Sequence, residues 1–118
     1  MKVLIVDDSS MIRQALVQWV SETGAEIVGQ AANGNEALKL FKELKPDLVT
    51  LDITMPEMDG LETLEGIMKI DKSAKVIIIS ALSAKEVAIE ALKKGAMTFV
   101  QKPFNQEDLL EALEEARG

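Results

Sequence analysis

Two adjacent aspartates follow the first apolar run of this sequence. The run VLIV occupies residues 3–6, and Asp7, Asp8, Ser9 and Ser10 come directly after it. Two neighbouring carboxylates raise each other's pKa, so their ionised forms need compensation from a nearby positive charge. Alone, such a pair more often marks a solvated turn or a helix cap, with either serine able to cap the helix. The pair indicates a functional site only if other charged groups join it.

Three other apolar runs are also followed by residues that could take part in chemistry. These residues are an acid, a hydroxyl and an ammonium: Asp52 after DLVTL (47–51), Ser80 after KVIII (75–79) and Lys102 shortly after MTFV (97–100). If the runs are parallel strands, their carboxyl ends meet at one edge of the sheet. Three carboxylates and one lysine leave an excess of negative charge, which a divalent cation would neutralise. The sequence contains no histidine and no cysteine, so oxygen ligands would hold the cation, which favours Mg²⁺ with Mn²⁺ able to substitute.

This combination of groups suits phosphoryl transfer. A metal and an ammonium neutralise phosphoryl oxygens, a hydroxyl adds a hydrogen bond, and a carboxylate can attack phosphorus. Asp52 is the expected nucleophile because it follows a central strand, between the acidic pair and Lys102. Since carboxylates are weak nucleophiles, the donor must be reactive, such as a phosphohistidine or an acyl phosphate. The product would be an aspartyl phosphate.

The remainder of the sequence predicts the elements that position these groups. A fifth run, EIVGQA at 26–31, completes a set of β-branched, continuous runs typical of strands buried on both faces of a parallel sheet. Stretches with helical periodicity alternate with the runs. Helix ends are marked by two capping boxes and two C-cap glycines: Asn33 with Glu36, Ser83 with Glu86, Gly24 and Gly95. The fivefold alternation predicts an α/β fold with helices on both faces of an open parallel sheet.

Length and composition limit the possible functions. The 118 residues favour one domain, 1–118, and a content of 47% hydrophobic residues argues against disorder. A net charge of −7 makes nucleic-acid binding unexpected, because phosphate contacts need clustered Lys and Arg. The apolar run near the amino terminus is too short for a signal peptide or membrane span. Since cysteine is absent as well, we expect a cytoplasmic protein.

Four motifs together resemble the receiver domain of bacterial two-component response regulators. They are VDD (6–8), LDITMPEMDG (51–60), SA (80–81) and KPF (102–104). The resemblance covers essentially the whole chain and is greatest to the stand-alone chemotaxis regulators of the family. It implies a doubly wound, flavodoxin-like (βα)5 fold with five parallel strands in the order 2-1-3-4-5. It also implies a signalling phosphoacceptor that assists its own phosphorylation and dephosphorylation, and not an enzyme.

The resemblance implies a role for each residue of the predicted site. Asp52 would be the phosphoacceptor and a metal ligand. Asp8 would bind Mg²⁺ directly, Asp7 mainly through water, and the backbone carbonyl of Thr54 would complete the protein ligands. Two side chains would bind phosphoryl oxygens: Ser80 and Lys102.

A switch and a cis peptide bond are also implied. Ser80 and Phe99 occupy the switch positions, where relatives more often have threonine and tyrosine. Because Phe99 has no phenolic hydroxyl, its inward state would be held by packing alone. The bond between Lys102 and Pro103 is expected to be cis, as it usually is in relatives.

Thr54 and Leu82 match the positions that set the lifetime of the phosphate in this family. Leu82 has no polar group with which to orient a hydrolytic water. We therefore expect slower self-dephosphorylation than in a Leu82→Glu variant.

The implied partners are a histidine kinase as phosphodonor and an effector protein. The effector would dock on the face formed by helix 4, strand 5 and helix 5, with Ala88 and Ile89 as candidate contacts. In a chemotaxis system it would be the flagellar motor switch. The protein would be a monomer or a dimer that forms on phosphorylation.

Other functions stay open from the sequence alone. The chain could be a phosphorelay intermediate or a receiver domain of a larger regulator such as a chemotaxis methylesterase, although the KPF ending and short fifth helix favour the stand-alone form. A haloacid-dehalogenase-like phosphatase is disfavoured because it needs a second acid where Thr54 stands. A flavodoxin-like cofactor carrier is disfavoured because its phosphate loop would begin with Asp7 and Asp8.

Overall fold

Strands and helices alternate along the whole chain. The computed structural model describes residues 1–53, 60–81 and 85–117, except for the side chain of Lys85. The elements are β1 (Lys2–Val6), α1 (Ser10–Ser21), β2 (Glu26–Ala31), α2 (Gly34–Leu44), β3 (Leu48–Asp52), α3 (Gly60–Ile70), β4 (Lys75–Ala81), α4 (Lys85–Lys93), β5 (Thr98–Lys102) and α5 (Gln106–Arg117). The strands form one parallel sheet in the order β2-β1-β3-β4-β5. The predicted doubly wound, flavodoxin-like fold is confirmed.

The sheet separates two hydrophobic clusters, since successive residues of a strand point to opposite faces. Val3 and Ile5 of β1 pack in the cluster that contains residues of α1 and α5. Leu4 and Val6 pack in the other cluster, with residues of α2, α3 and α4. Ala88 of α4 is fully buried in this second cluster. Its expected role as a partner contact is therefore wrong.

Only the three central strands are buried on both faces. β1 after its first residue, β3 throughout and β4 from Val76 to Ser80 are buried. In β2 only Ala31 is buried, and in β5 only Val100 is. The prediction that all five strands are buried on both faces holds only in part for these two: each contributes residues to both hydrophobic clusters, but most of its residues are half-buried or exposed. β2 and β5 lie at the sheet edges, where each has one neighbouring strand.

Local signals account for several helix ends. Ser9 caps α1 by accepting a hydrogen bond from the Ile12 N–H, and Asn33 caps α2 by accepting one from the Glu36 N–H at 2.9 Å. Ser83 of the other predicted capping pair lies outside the described residues. At the start of α5, the Asp108 N–H donates to Oδ1 of Asn105 and the Asn105 N–H donates to Oδ2 of Asp108. These reciprocal hydrogen bonds were not predicted from the sequence. None of the helices in the described ranges is long and apolar enough to cross a membrane.

Candidate metal centre

Three acidic side chains meet at the carboxyl-end edge of the sheet. Asp7 directly follows β1, Asp8 comes next, and Asp52 is the last residue of the adjacent strand β3. Each offers one carboxylate oxygen, and the three oxygens lie within 4.8 Å of one another. Asp7 is fully buried and Asp52 is 1% exposed, whereas Asp8 faces solvent. The predicted clustering of these acids is therefore present in the fold.

Lys102 brings a positive charge to this cluster from the last residue of β5. Its Nζ lies 3.3 Å from Oδ2 of Asp52 and 3.5 Å from Oδ2 of Asp7. Because β4 separates β5 from β3, the long side chain spans the end of β4, where Ala81 pairs with Lys102. The peptide bond that joins Lys102 to Pro103 is cis.

The two carboxylate oxygens of Asp7 have different partners. Oδ1 accepts a hydrogen bond of 2.9 Å from the Ser9 N–H, while Oδ2 forms no hydrogen bond with the described residues and has the Lys102 ammonium at 3.5 Å. Burial raises the pKa of Asp7, and the charges of Asp52 and Asp8 add to the rise. The Ser9 N–H and the Lys102 ammonium act in the opposite direction and lower this pKa. The buried position of Asp7 among other acids therefore makes its ionised form less favourable than that of a solvated aspartate.

The donor set fits a hard divalent cation. All three acids supply oxygen ligands, two of them are buried, and one buried oxygen within the described part of the chain lacks a donor. A cation of this class prefers carboxylate oxygens and would relieve the repulsion between the acids. The remaining predicted ligand, the Thr54 carbonyl, lies outside the described residues. Leu82 lies outside them as well.

Ser80 and Phe99 lie on the face of the sheet that packs against α2, α3 and α4. Ser80 is 1% exposed, and its Oγ has no hydrogen-bond partner among the described residues. Phe99 is half-buried and packs against the hydrophobic cluster of this face. In the β4–β5 pairing, Phe99 aligns with Ile78, two residues before Ser80. The two predicted switch residues thus lie on one side of the sheet and close to each other along it.

Two residues of the site region were not predicted from the sequence. Arg13 of α1 donates a hydrogen bond of 2.5 Å from Nη1 to the backbone carbonyl of Asp7. Its position, one helical turn after the cap residue Ser9, is the signal that could have identified it. Thr50 is fully buried in β3, two residues before Asp52, and its hydroxyl has no partner within the described ranges. The sequence gives no indication of Thr50 because threonine is common in strands.

Comparison with known proteins identifies the relatives of this chain. The chemotaxis protein CheY of Listeria monocytogenes is 52% identical over 116 residues, which cover 98% of each chain. A protein-glutamate methylesterase/protein-glutamine glutaminase of Archaeoglobus fulgidus is 47% identical over 106 residues, which are 87% of this chain but 30% of that protein. The chain thus spans nearly the full length of the first relative and less than a third of the second.

Solved structures agree with the sequence relatives. A crystal structure of the CheX-CheY-BeF3-Mg²⁺ complex from Borrelia burgdorferi matches with a TM-score of 0.95 and 42% identity, over 100% of this chain and 90% of that one. The family model of the response regulator receiver domain matches residues 3–114. With the acidic cluster and Lys102 in place at the sheet edge, these matches show that the chain belongs to the response regulator receiver domain family.

Proposed function

We propose that this chain is the phosphoacceptor response regulator of a two-component system and receives a phosphoryl group on Asp52 from a histidine kinase. The observation that supports this most is the position of Asp52. Its carboxylate is 1% exposed, lies 3.3 Å from the Lys102 ammonium and shares the sheet edge with two further acids. These groups would serve together as a nucleophile, a phosphate-binding ammonium and a set of metal ligands.

The residues at this edge have complementary roles in the proposed transfer. A carboxylate oxygen of Asp52 attacks the phosphorus of phosphohistidine, the new P–O bond forms, and the P–N bond breaks. The imidazole leaves with the electron pair of that bond and takes up a proton. Lys102 binds one phosphoryl oxygen, and the buried Ser80 hydroxyl, which lacks a partner among the described residues, donates a hydrogen bond to another.

Mg²⁺ is the proposed cofactor, with Mn²⁺ able to substitute. Asp7, Asp8 and Asp52 would hold it, together with the backbone carbonyl of Thr54. When bound, the cation supplies positive charge to the phosphoryl oxygens. The CheX-CheY complex from Borrelia burgdorferi contains Mg²⁺ and BeF3, which supports a divalent cation as a cofactor of this chain.

The proposed output is phosphorylation-dependent binding of an effector protein. Ser80 and Phe99 would shift together on phosphorylation, as a population shift between two states of the face formed by α4, β5 and α5. This face includes Ile89, which is 43% exposed, and a groove of about 390 Å³ lined by Phe99 and by the acids Glu111 and Glu115 of α5. The effector would bind here, with the chain acting as a monomer or as a dimer formed on phosphorylation.

A role in chemotaxis is the preferred biological setting. The near full-length match to CheY of Listeria monocytogenes supports it, and the flagellar motor switch is then the proposed effector. The match to 30% of the Archaeoglobus methylesterase keeps a receiver within a larger regulator as the alternative. A phosphorelay intermediate is a further alternative. In each case the chain acts in the cytoplasm as a signalling phosphoacceptor and not as an enzyme on a separate substrate.

The lifetime of the phosphate is proposed to depend on Thr54 and Leu82. Leu82→Glu would add a carboxylate able to orient water, so loss of the phosphoryl group should become faster. Decay of the phosphoprotein, followed by intact mass after removal of the donor, measures this rate. Equal or slower decay in the variant would contradict the assignment.

The proposed function is tested by incubation with phosphoramidate, with Mg²⁺ and with excess chelator, followed by intact mass. The wild type should gain one phosphoryl group with Mg²⁺ and little without it, and Asp52→Asn should gain none. Asp47→Asn is the matched control, because Asp47 lies immediately before the same strand at its opposite end. Phosphorylation of Asp52→Asn at the wild-type rate would contradict the assignment of the phosphoacceptor.

A further inference from the structure

The loop that joins β1 to α1 holds Asp7 by three separate contacts. The Asp7 N–H donates to the Ala31 carbonyl at 3.0 Å, which extends the β1–β2 pairing by one residue. Its Oδ1 accepts from the Ser9 N–H at 2.9 Å. Its backbone carbonyl accepts from Nη1 of Arg13 at 2.5 Å. Only Oδ2 is left without a hydrogen bond within the described ranges, and the Lys102 ammonium lies 3.5 Å from it.

The Arg13 contact constrains Asp8 as well as Asp7. The carbonyl of Asp7 and the N–H of Asp8 belong to one planar peptide group, so a donor that fixes the carbonyl also fixes the plane from which Asp8 starts. Asp8 is the exposed member of the acidic cluster, so packing does not fix its position. Among the described residues, Arg13 is the one whose side chain donates a hydrogen bond to this peptide group.

Arg13 is itself anchored by the beginning of α1. Its backbone N–H donates to the Ser9 carbonyl at 3.0 Å, and Ser9 is the residue that caps the helix. The half-buried guanidinium then extends back along the first turn to Asp7. A charged donor makes this hydrogen bond stronger than a neutral one. The first turn of α1 and the loop with both aspartates therefore form one hydrogen-bonded unit.

We propose that Arg13 is a positioning residue, which holds the peptide group between Asp7 and Asp8 so that both carboxylates are directed to the divalent-cation site before the cation binds. The inference rests on the proposed function, since it assigns a role toward the same cation. Partners that orient metal ligands typically change metal affinity by about tenfold or more when they are removed.

The test compares Mn²⁺ binding to the wild type, Arg13→Met, Arg13→Lys and Arg117→Met, with free Mn²⁺ counted by electron paramagnetic resonance. Methionine keeps an unbranched stem but removes the donors. Arg117 is the matched control, because it also donates to a backbone carbonyl, that of Thr23 at 3.0 Å, and is remote from the acidic cluster. We expect about tenfold weaker binding in Arg13→Met, at most about a twofold change in Arg117→Met, and partial recovery in Arg13→Lys.

A second readout uses the metal-free protein. The ¹⁵N order parameter of the Asp8 amide should fall in Arg13→Met, since the peptide plane loses its side-chain contact, and should stay unchanged in Arg117→Met. If Arg13→Met does not fold, Arg13→Gln replaces it with the same expected direction. Wild-type Mn²⁺ affinity in the Arg13 variant, an equal loss in Arg117→Met, or no recovery with lysine would each overturn the inference.

The outcomes separate this inference from the proposed function. A wild type that binds no Mn²⁺ would overturn both. A wild type that binds Mn²⁺ and is phosphorylated on Asp52, with Arg13→Met binding equally well, would overturn the role of Arg13 alone.

Discussion

The acidic side chains at the two edges of the sheet differ in their burial and hydrogen bonding. At the amino-end edge, Asp47 accepts a hydrogen bond of 2.7 Å from the Lys2 N–H. Asp71, before β4, accepts bonds of 2.9 and 2.6 Å from the backbone and hydroxyl of Ser73. At the carboxyl-end edge, Asp7 is buried and lies beside two other acids, and its Oδ2 forms no hydrogen bond with the described residues, with the Lys102 ammonium at 3.5 Å.

The pKa values of Asp71 and Asp7 are shifted in opposite directions. The hydrogen bonds from Ser73 lower the pKa of Asp71, whereas burial raises the pKa of Asp7. The first edge therefore stabilises its ionised acid and the second destabilises one. Folding alone would favour the first arrangement at both edges, so the second is best explained by a ligand that adds positive charge to that of Lys102.

The largest expected difference between the edges concerns two glycines. A Cβ on Gly60, at the carboxyl-end edge, would lie 2.1 Å from the Cα of Ile53, so the backbone has to move. A Cβ on Gly24, at the amino-end edge, would meet nothing within 4 Å, and only its φ of +88° opposes substitution. We expect Gly60→Ala to lower the free energy of unfolding by about 3 kcal/mol and Gly24→Ala by about 1 kcal/mol. Urea unfolding measures both, and equal losses would contradict the packing argument.

Two threonines should respond with opposite signs. Thr50, in the strand that leads to Asp52, is buried and has a hydroxyl without a partner among the described residues. Thr23, at the other edge, donates from its hydroxyl to the Val20 carbonyl at 2.6 Å. Valine should stabilise the protein by about 1 kcal/mol at position 50 and destabilise it by about 1 kcal/mol at position 23. A loss of stability in Thr50→Val, measured by thermal unfolding, would show that its hydroxyl has a partner.

A smaller effect is expected in the pH dependence of stability. In excess chelator, the folded pKa of Asp7 lies above its ordinary value of 3.8. The unfavourable contribution of Asp7 is therefore absent below that value and develops as the pH rises through the folded pKa. The stability advantage of Asp7→Asn over the wild type should grow over this range and then level off. Asp71 has the opposite sign, because stability from its lowered pKa is lost as the pH falls. An advantage of Asp7→Asn that is constant with pH would contradict this account.

The fold was largely predictable because its signals are local and repeated. Continuous β-branched runs and a cap such as Asn33 indicated the strands and helices. Because the carboxyl ends of parallel strands meet at one edge of the sheet, Asp7, Asp52 and Lys102 were predicted to lie together. The exposure of β2 was not predictable from its sequence, since it depends on which strand lies at the edge of the sheet. The contact between Arg13 and Asp7 depends on the direction in which a long side chain folds back, and residue type does not specify this direction.

The central claim is that the carboxyl-end edge is unfavourable for the free protein and is stabilised by a cation. The most direct test is the free energy of unfolding of the wild type, Asp7→Asn and Asp71→Asn, each in excess chelator and in Mg²⁺. In chelator, Asp7→Asn should be more stable than the wild type and Asp71→Asn less stable. In Mg²⁺, the wild type and Asp71→Asn should both gain stability, with little gain in Asp7→Asn. A less stable Asp7→Asn in chelator, or an equal gain from Mg²⁺ in all three proteins, would contradict the claim.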